Sequence, residues 1–469
     1  MAEFWSTFGL DLLVETHRSQ RRASLEDGLR QAIRSRRLAA GTRVPSSRVL
    51  AQDLGWARGT VAAAYDQLVA EGYLIARHGA GTVVADVAER HSPPGQERKP
   101  QPRFRFDLRP GTPDVGSFPV GGWLRAARSA LTRAPMGAFG YPDLRGYPEL
   151  RTALVEYLGR TRGVSASPDQ VVVTAGTTHG LSLLCQALRN TGATAVGVEE
   201  PCFAFHREVV CASGLTVVGV PVDEHGVVTD ELPARSSDTV LVTPAHQYPT
   251  GVTLGPQRRR DLVAWARSGR KLVVEDDYDG EFRYDRRPVG AIQGIAPDHV
   301  AYLGSASKTL APGLRLGWLV LPERLVDPVT AAVRVSTLGV DGTAQLTMVE
   351  LLVSHAYDRH IRAMRTRYRR RYVLLRSALD GIAGERGTVV AGVQGGCQTA
   401  VYLPTRGPHA AEVVARAAGE GLALEALDKH WGTPGPHPQG LLIGFSRPPD
   451  RSYPAAVALL AGVLRRAYA

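Results

Sequence analysis

Tyr302-Leu-Gly-Ser-Ala-Ser-Lys308-Thr-Leu-Ala-Pro-Gly-Leu-Arg315-Leu-Gly-Trp318 sets a lysine behind the short apolar run Val300 to Leu303, with an arginine seven positions further on. The run reads as a buried strand. An amine at the carboxyl end of a core strand, among hydroxyls and glycines, is suited to Schiff-base formation, and the arginine can hold a phosphate nearby. Alone, the segment also allows a surface lysine that merely follows a strand, so the rest of the chain has to decide.

Outward from this segment, short apolar runs recur at Val171 to Val173, Ala195 to Val198, Val217 to Val220, Thr239 to Val242, Leu272 to Val274 and Leu316 to Leu321. Helical stretches or glycine turns separate them, which predicts a mostly parallel sheet covered on both faces. Ligands bind such sheets outside the carboxyl ends of the strands. After Val171-Val-Val-Thr174 come Ala175, Gly176, Thr177, Thr178 and an apolar helix, so backbone N–H groups and hydroxyls face an anion at a helix N-terminus. Lys271-Leu-Val-Val-Glu-Asp276-Asp-Tyr278 adds a carboxylate able to keep a pyridine nitrogen protonated and a phenol able to donate to a ring oxygen. Thr243-Pro-Ala-His246-Gln247-Tyr248-Pro-Thr-Gly251 brings more polar groups to the same edge, and Glu199-Glu-Pro-Cys-Phe203 offers an aromatic face that stacks on a ring or packs in the core.

The first ninety residues read differently. Ser24-Leu-Glu-Asp27 resembles a capping box opening a helix with Leu25, Leu29 and Ile33 on its apolar face. Pro45-Ser-Ser-Arg48 starts a second helix, Val49 to Leu54, which Gly55 breaks; a third runs from Arg58 to Glu71 with Val61, Ala64, Tyr65 and Leu68 inward, capped by Gly72. Two helices across a tight glycine-bearing turn have the geometry that lays the second in the major groove. Tyr73-Leu-Ile-Ala and Gly81-Thr-Val-Val around the turn Arg77-His78-Gly79-Ala80 then form a wing. Ten arginines against three acidic residues between Arg18 and Arg58 concentrate positive charge there. Arg48 and Arg58 reach a phosphate or a guanine edge, and Ser46, Ser47 and Thr60 can bond backbone oxygens.

The 469 residues suffice for two or three domains, and the net charge of +11 makes a polyanion a natural partner, with solvated surface charge as the plainer alternative. Cys185, Cys202, Cys211 and Cys397 show no metal-ligand or disulfide spacing, no long apolar run appears, and the cytoplasm is the default compartment. Residues 86–105, rich in proline and charge, read as a solvated connector. The Arg-rich stretch from Asp358 to Arg376 predicts a charged helix, either a solvated face or a second patch for DNA or the winged domain.

Leu-Ala-Ala-Gly-Thr-Arg-Val-Pro-Ser-Ser-Arg-Val-Leu-Ala-Gln-Asp-Leu-Gly, from Leu38, and Gly-Ala-Gly-Thr-Val-Val, from Gly79, resemble the GntR-type winged helix. The strand-end groups together match the needs of pyridoxal 5'-phosphate and, with Tyr141-Pro-Asp-Leu-Arg-Gly-Tyr-Pro-Glu-Leu-Arg151, resemble the fold-type I aminotransferases. The fusion of the two resembles the MocR family of transcriptional regulators, over residues 24 to 465. It implies an N-terminal winged helix-turn-helix (α+β) joined to an α/β fold-type I aminotransferase-like body with a smaller C-terminal αβ domain. Its parts would be an extension 1–23, a DNA-binding domain 24–85, a linker 86–105, a large domain with an N-terminal small-domain segment 106–360, and a small domain 361–469.

The resemblance assigns Lys308 to the internal aldimine, Asp276 to the pyridine nitrogen, Tyr278 to the ring hydroxyl and Phe203 to stacking. Gly176, Thr177, Thr178, Ser305 and Arg315 would hold the phosphate, with His246 and Gln247 beside the ring. Tyr248 stands where the enzymes carry asparagine. Leu442 stands where many aminotransferases carry the arginine for the substrate carboxylate; Arg447 is a displaced substitute, and Phe205 fills the place of another arginine. The leading expectation is a homodimeric, head-to-tail regulator that binds two promoter half-sites and senses pyridoxal phosphate or an aldimine made with it, with vitamin B6 synthesis as a controlled process. The alternatives are a working aminotransferase with an appended DNA-binding head, and a dimerisation scaffold with a vestigial pocket.

Overall fold

A computed structural model describes residues 21–77, 81–86, 104–234, 237–284, 289–386, 389–390, 392 and 395–468. Two compact units divide the chain, 1–102 and 103–469.

In the first unit, α1 (Arg21–Arg34) buries Leu25, Leu29, Ala32 and Ile33, one stripe of a helix. The helix is already formed at Arg21, so Ser24 lies inside it rather than capping it. An Arg22–Glu26 ion pair of 2.7 Å spans the first turn, the spacing at which helical side chains meet. The Ser46 hydroxyl accepts from Val49 N at 3.3 Å to cap α2 (Ser47–Leu54), which satisfies a backbone donor at the helix start. Gly55 ends the helix at φ 63°, a left-handed conformation that glycine adopts without strain. α3 (Arg58–Ala70) buries Val61, Ala64, Tyr65 and Leu68. Strands β1 (Leu74–Arg77) and β2 (Gly81–Val84) pair antiparallel, Leu74 opposite Val84, and both of these residues enter the same core as the helices. His78 and Gly79, and nearly all of the connector 86–105, lie outside the described residues.

The second unit opens with β3 (Phe106–Asp107), α4 (Val120–Arg133) and α5 (Pro148–Arg162). Then follow β4 (Val171–Thr174), α6 (Thr177–Asn190), β5 (Ala195–Glu200), α7 (Ala204–Ala212), β6 (Thr216–Asp223), β7 (Gly226–Val227) and β8 (Thr239–Val242). After α8 (Pro256–Arg267) come β9 (Leu272–Asp276), β10 (Val300–Ser305), β11 (Gly317–Val320), α9 (Glu323–Ser336) and α10 (Gly342–Val353). The large sheet has the order β4-β11-β10-β9-β8-β5-β6-β7. Its strands alternate between faces: Val172 meets α6 and α9, whereas Val171 and Val173 meet α5 and α10. Burial on both faces explains the near-continuous apolar runs.

From β10 to β6 the pairs are parallel, but β11 runs antiparallel to both β10 and β4. No helix crosses back between β10 and β11; the chain reverses through residues 306–316. A short reversal can join only antiparallel strands. It therefore returns Arg315 to the sheet end where Ser305 and Lys308 stand.

α11 (Ala356–Arg386) is a single 31-residue helix joining two cores: Tyr357 and Ile361 pack with the large sheet, Met364, Tyr368 and Tyr372 with the C-terminal layer. That layer contains β12 (Val389–Val390), β13 (Gln398–Tyr402), α12 (Ala410–Gly419), β14 (Leu422–Ala423), β15 (Glu425–Ala426), β16 (Gly440–Gly444) and α13 (Tyr453–Ala467), with the antiparallel sheet order β12-β13-β16-β15. β3 pairs with β14 in parallel, which stitches residues 104–114 onto it.

Candidate functional site

A cavity of about 200 Å³ opens at the carboxyl ends of β9 and β10. At one end the N-terminus of α6 presents Thr177 and Thr178, facing Ser305, Ser307 and Arg315. Gly176 caps α6 at φ 96°, and a Cβ added there would stand 3.4 Å from Arg315 Nη1, so the guanidinium lies against this turn. Among the described residues no carboxylate pairs with Arg315. An unpaired guanidinium beside a helix N-terminus and four hydroxyls is a receptor for a phosphate-sized anion.

Asp276 ends β9 and is only 5 % exposed. Its Oδ2 accepts from His206 Nε2 at 3.0 Å, while its Oδ1 is buried without a partner. A buried acceptor left open suits a ligand that brings a donor, such as a protonated ring nitrogen. The neighbouring Asp277 does different work. Its carboxylate meets Arg162 Nε at 2.6 Å and Tyr302 Oη at 2.7 Å in the core, and the charge of Asp277 holds the Arg162 guanidinium above its ordinary pKa despite burial. Phe203 lines the cavity with its ring 5.9 Å from that of Phe205, nearly parallel.

The Tyr278 hydroxyl accepts from Gln398 Nε2 at 2.7 Å and lies 3.0 Å from His246 Nδ1, and burial holds its pKa well above that of a free phenol. Lys308 Nζ donates to the carbonyl of Gly111, and removal of the amine from bulk water lowers its pKa. A lowered pKa makes more of the amine available as a nucleophile at neutral pH.

In the N-terminal unit Arg48, Arg58 and Arg77 are exposed, Arg58 as the first residue of α3, and Ser47 and Thr60 lie nearby in the same two helices. The Ser46 hydroxyl is committed as an acceptor to the α2 cap.

Residues 21–84 match the bacterial regulatory proteins of the gntR family, and residues 107–420 match aminotransferase class I and II. The pyridoxine biosynthesis transcriptional regulator PdxR of Corynebacterium glutamicum is 33 % identical over 426 residues, covering 90 % of this chain and 91 % of that protein. The transcriptional regulator TauR of Rhodobacter capsulatus is 33 % identical over 441 residues, covering 86 % and 88 %. The chain belongs to the MocR family of transcriptional regulators. Its body has the aminotransferase fold: an archaeal alanine:glyoxylate aminotransferase superposes with a TM-score of 0.69 at 23 % identity, over 77 % of this chain and 91 % of that one.

The cavity of this MocR-family regulator gathers Lys308, Asp276, Tyr278, Phe203, Thr177, Thr178, Ser305 and Arg315. His246 and Gln247 do not line it. His246 is held behind Tyr278 by Asp279 Oδ2 at 3.1 Å, and the Gln247 amide is consumed by Pro201 O, Tyr248 O and the Thr250 hydroxyl. Both were expected beside the ring; the turn they belong to folds under the site and spends their polar atoms on backbone and neighbours.

Sequence reasoning missed several lining groups, Ser307, His206, Gln398 and Gly111 among them. His206 follows Phe203 by one helical turn, a spacing that could have pointed to it. Gln398 begins a buried strand of the small domain, and Gly111 comes from the segment after the connector; neither has a local signal. Where a carboxylate-binding arginine was sought, Leu442 is fully buried and clusters with Tyr248 and Ala400. Arg447 pairs with Asp107 at 3.0 Å, and Phe205 adds an apolar wall.

Proposed function

We propose that this regulator binds pyridoxal 5'-phosphate in the cavity and that occupancy, by the cofactor alone or with an amine joined to it, changes its affinity for promoter DNA. The carrying observation is Asp276 Oδ1, a buried acceptor with no donor of its own, in the same cavity as Lys308 and Arg315. Asp276 would hold the ring nitrogen, Tyr278 the ring hydroxyl and Phe203 the ring face, while Gly176, Thr177, Thr178, Ser305 and Arg315 would hold the phosphate. Lys308 would take the aldehyde carbon. When bound, the cofactor supplies that aldehyde and an electron-withdrawing ring.

The apolar cluster at Leu442 supports sensing over multiple-turnover amino transfer, because the position where many aminotransferases carry an arginine for the substrate carboxylate is here an uncharged, buried leucine. PdxR, by its name a regulator of pyridoxine biosynthesis, motivates vitamin B6 synthesis as the controlled process. Arg48 and Arg58 would meet DNA, with Ser46, Ser47, Thr60 and the wing turn Arg77, His78 and Gly79 on the backbone.

A second copy of the chain would complete the body. Val120, Leu124 and Leu131 are exposed on α4, with Met136 (93 %), Phe139 (63 %) and Tyr141 (92 %) just beyond it. Such an exposed apolar surface marks a protein interface. A homodimer would pair two heads with two half-sites.

The test is titration of pyridoxal phosphate, alone and with primary amines, into a promoter-binding assay at fixed salt. Altered DNA affinity with Lys308-linked cofactor is expected. Unchanged affinity at saturation overturns the sensing role, and sustained amino transfer to a keto acid, abolished in Lys308→Ala, favours an enzyme.

A further inference from the structure

Lys308 Nζ donates to the carbonyl of Gly111, and among the described residues that carbonyl receives no other hydrogen bond. Gly111 belongs to residues 104–114, a strap fastened elsewhere along its length. β3 pairs with β14, Gly444 N donates to Leu108 O at 2.7 Å, and Ser446 Oγ donates to Thr112 O at 2.8 Å. The Asp114 carboxylate meets Arg371 Nη2 at 2.7 Å, and its N–H donates to Tyr368 Oη at 2.9 Å. Gly111 itself has φ 92°, and a Cβ built on it would meet nothing within 4 Å. No side chain crowds this point of the strap, and among the described residues the lysine's hydrogen bond is the one its carbonyl accepts. In the chain, the strap directly follows the connector from the DNA-binding unit.

We propose that the Lys308–Gly111 contact is how the strap reads the covalent state of the lysine. This rests on the reading that Lys308 takes the cofactor's aldehyde. As a free amine, Nζ has hydrogens to spare for the carbonyl. On condensation, the nitrogen bonds the aldehyde carbon, the carbon–oxygen double bond breaks, and the oxygen leaves as water with two of the nitrogen's hydrogens. At most one N–H would remain on Lys308, shared with the acceptors that the cofactor brings, and the Gly111 carbonyl would lose its donor. A primary amine that takes the carbon from Lys308 reverses this: the incoming nitrogen forms the new double bond, its two hydrogens pass to Nζ, and the restored lysine amine donates to Gly111 again. The strap is thus held at Gly111 in the cofactor-free protein, loosened there by cofactor alone, and held there again when an amine carries the cofactor.

Hydrogen exchange of the full-length protein tests this at the amides of Phe106, Leu108 and Asp114. Saturating pyridoxal phosphate should speed their exchange about tenfold in the wild type, the loss of one hydrogen bond to an amine. Lys308→Ala should show the faster exchange without cofactor, and Lys308→Arg, which keeps a donor but cannot condense, the slower exchange with and without it. Borohydride reduction followed by mass analysis reports condensation independently. An adduct on Lys308 with unchanged strap exchange overturns the inference while leaving the cofactor reading intact. Absence of any adduct overturns the cofactor reading, and the strap is then judged on Lys308→Ala, where unchanged exchange also overturns it.

Discussion

Asp276→Asn isolates the charge assigned to the cofactor's ring nitrogen. Asparagine keeps the shape of the side chain and can still accept at one oxygen, and His206, 3.0 Å from Oδ2, can turn its ring to meet either end of the amide. What disappears is a negative charge on a residue only 5 % exposed, together with the open Oδ1 acceptor. A hydrogen bond to a charged group contributes ~1.5–3 kcal/mol. Two unit charges about 4 Å apart attract by ~4 kcal/mol at an effective dielectric constant of about 20. Between these bounds the expected loss is ~2–4 kcal/mol, which weakens cofactor binding roughly 30- to 1000-fold. Absorbance titration of pyridoxal phosphate measures it directly. The empty variant should be at least as stable as the wild type, because a buried charge with an unsatisfied oxygen has been removed. Only the melting shift induced by cofactor should shrink. A titration midpoint within about threefold of the wild type would refute the assignment of Asp276 to the ring nitrogen, since neither of the two bounds permits so small a loss.

Three other substitutions probe the rest of the molecule. Arg162→Ala strands the buried Asp277 carboxylate and should lower stability by ~3–5 kcal/mol in chemical denaturation of the cofactor-free protein. Burial pushes the Glu199 carboxyl up to about 7, so the folded state holds a proton that the unfolded chain releases near its ordinary value of 4.5. This contribution is fully present below about 4.5 and is lost as pH rises through about 7. The slope is at most ~1.4 kcal/mol per pH unit, the value of one proton. Glu199→Gln, whose amide oxygen can still accept from Thr243, should flatten that slope in urea denaturation at several pH values. Arg58→Ala should weaken operator binding in fluorescence anisotropy, by ~1–3 kcal/mol with relaxed sequence preference if it reads a base, or with a salt slope reduced by about one if it meets a phosphate; a variant unchanged in both excludes Arg58 from the interface.

The large sheet was legible because its signals are local. Apart from the two-residue β7, its strands are four- to eight-residue, mostly apolar runs, and strand ends at the site carry polar groups within a few residues, as Asp276 follows Val274 and Thr177 follows Thr174. The inward residues of α3 followed from helical spacing for the same reason. The antiparallel sense of β11 was not legible, since apolar runs carry no direction; it comes from the short reversal that brings Arg315 beside Lys308. Equally hidden were Gln398 and Gly111, which reach the cavity only because residues 104–114 and the C-terminal layer fold back over the sheet. His246 and Gln247 failed in the opposite way. Their sequence neighbourhood matched that of the ring contacts, yet their polar atoms are committed beneath the cavity.

The two walls of the cavity differ in what they can tolerate. At the phosphate end, hydroxyls, a helix N-terminus and Arg315 wait on charge. On the side of the C-terminal layer, Tyr248 lines the cavity and packs with the buried Leu442 and Ala400, and Arg447 is held by Asp107 within the strap. An amino acid joined at Lys308 would need a cation for its carboxylate, and an unpaired buried carboxylate costs several kcal/mol. Cofactor alone, or an amine without a neighbouring carboxylate, meets no such penalty. Asp107 and Gly111 lie four residues apart on the same strap, so one segment both pairs with Arg447 and receives the hydrogen bond of Lys308.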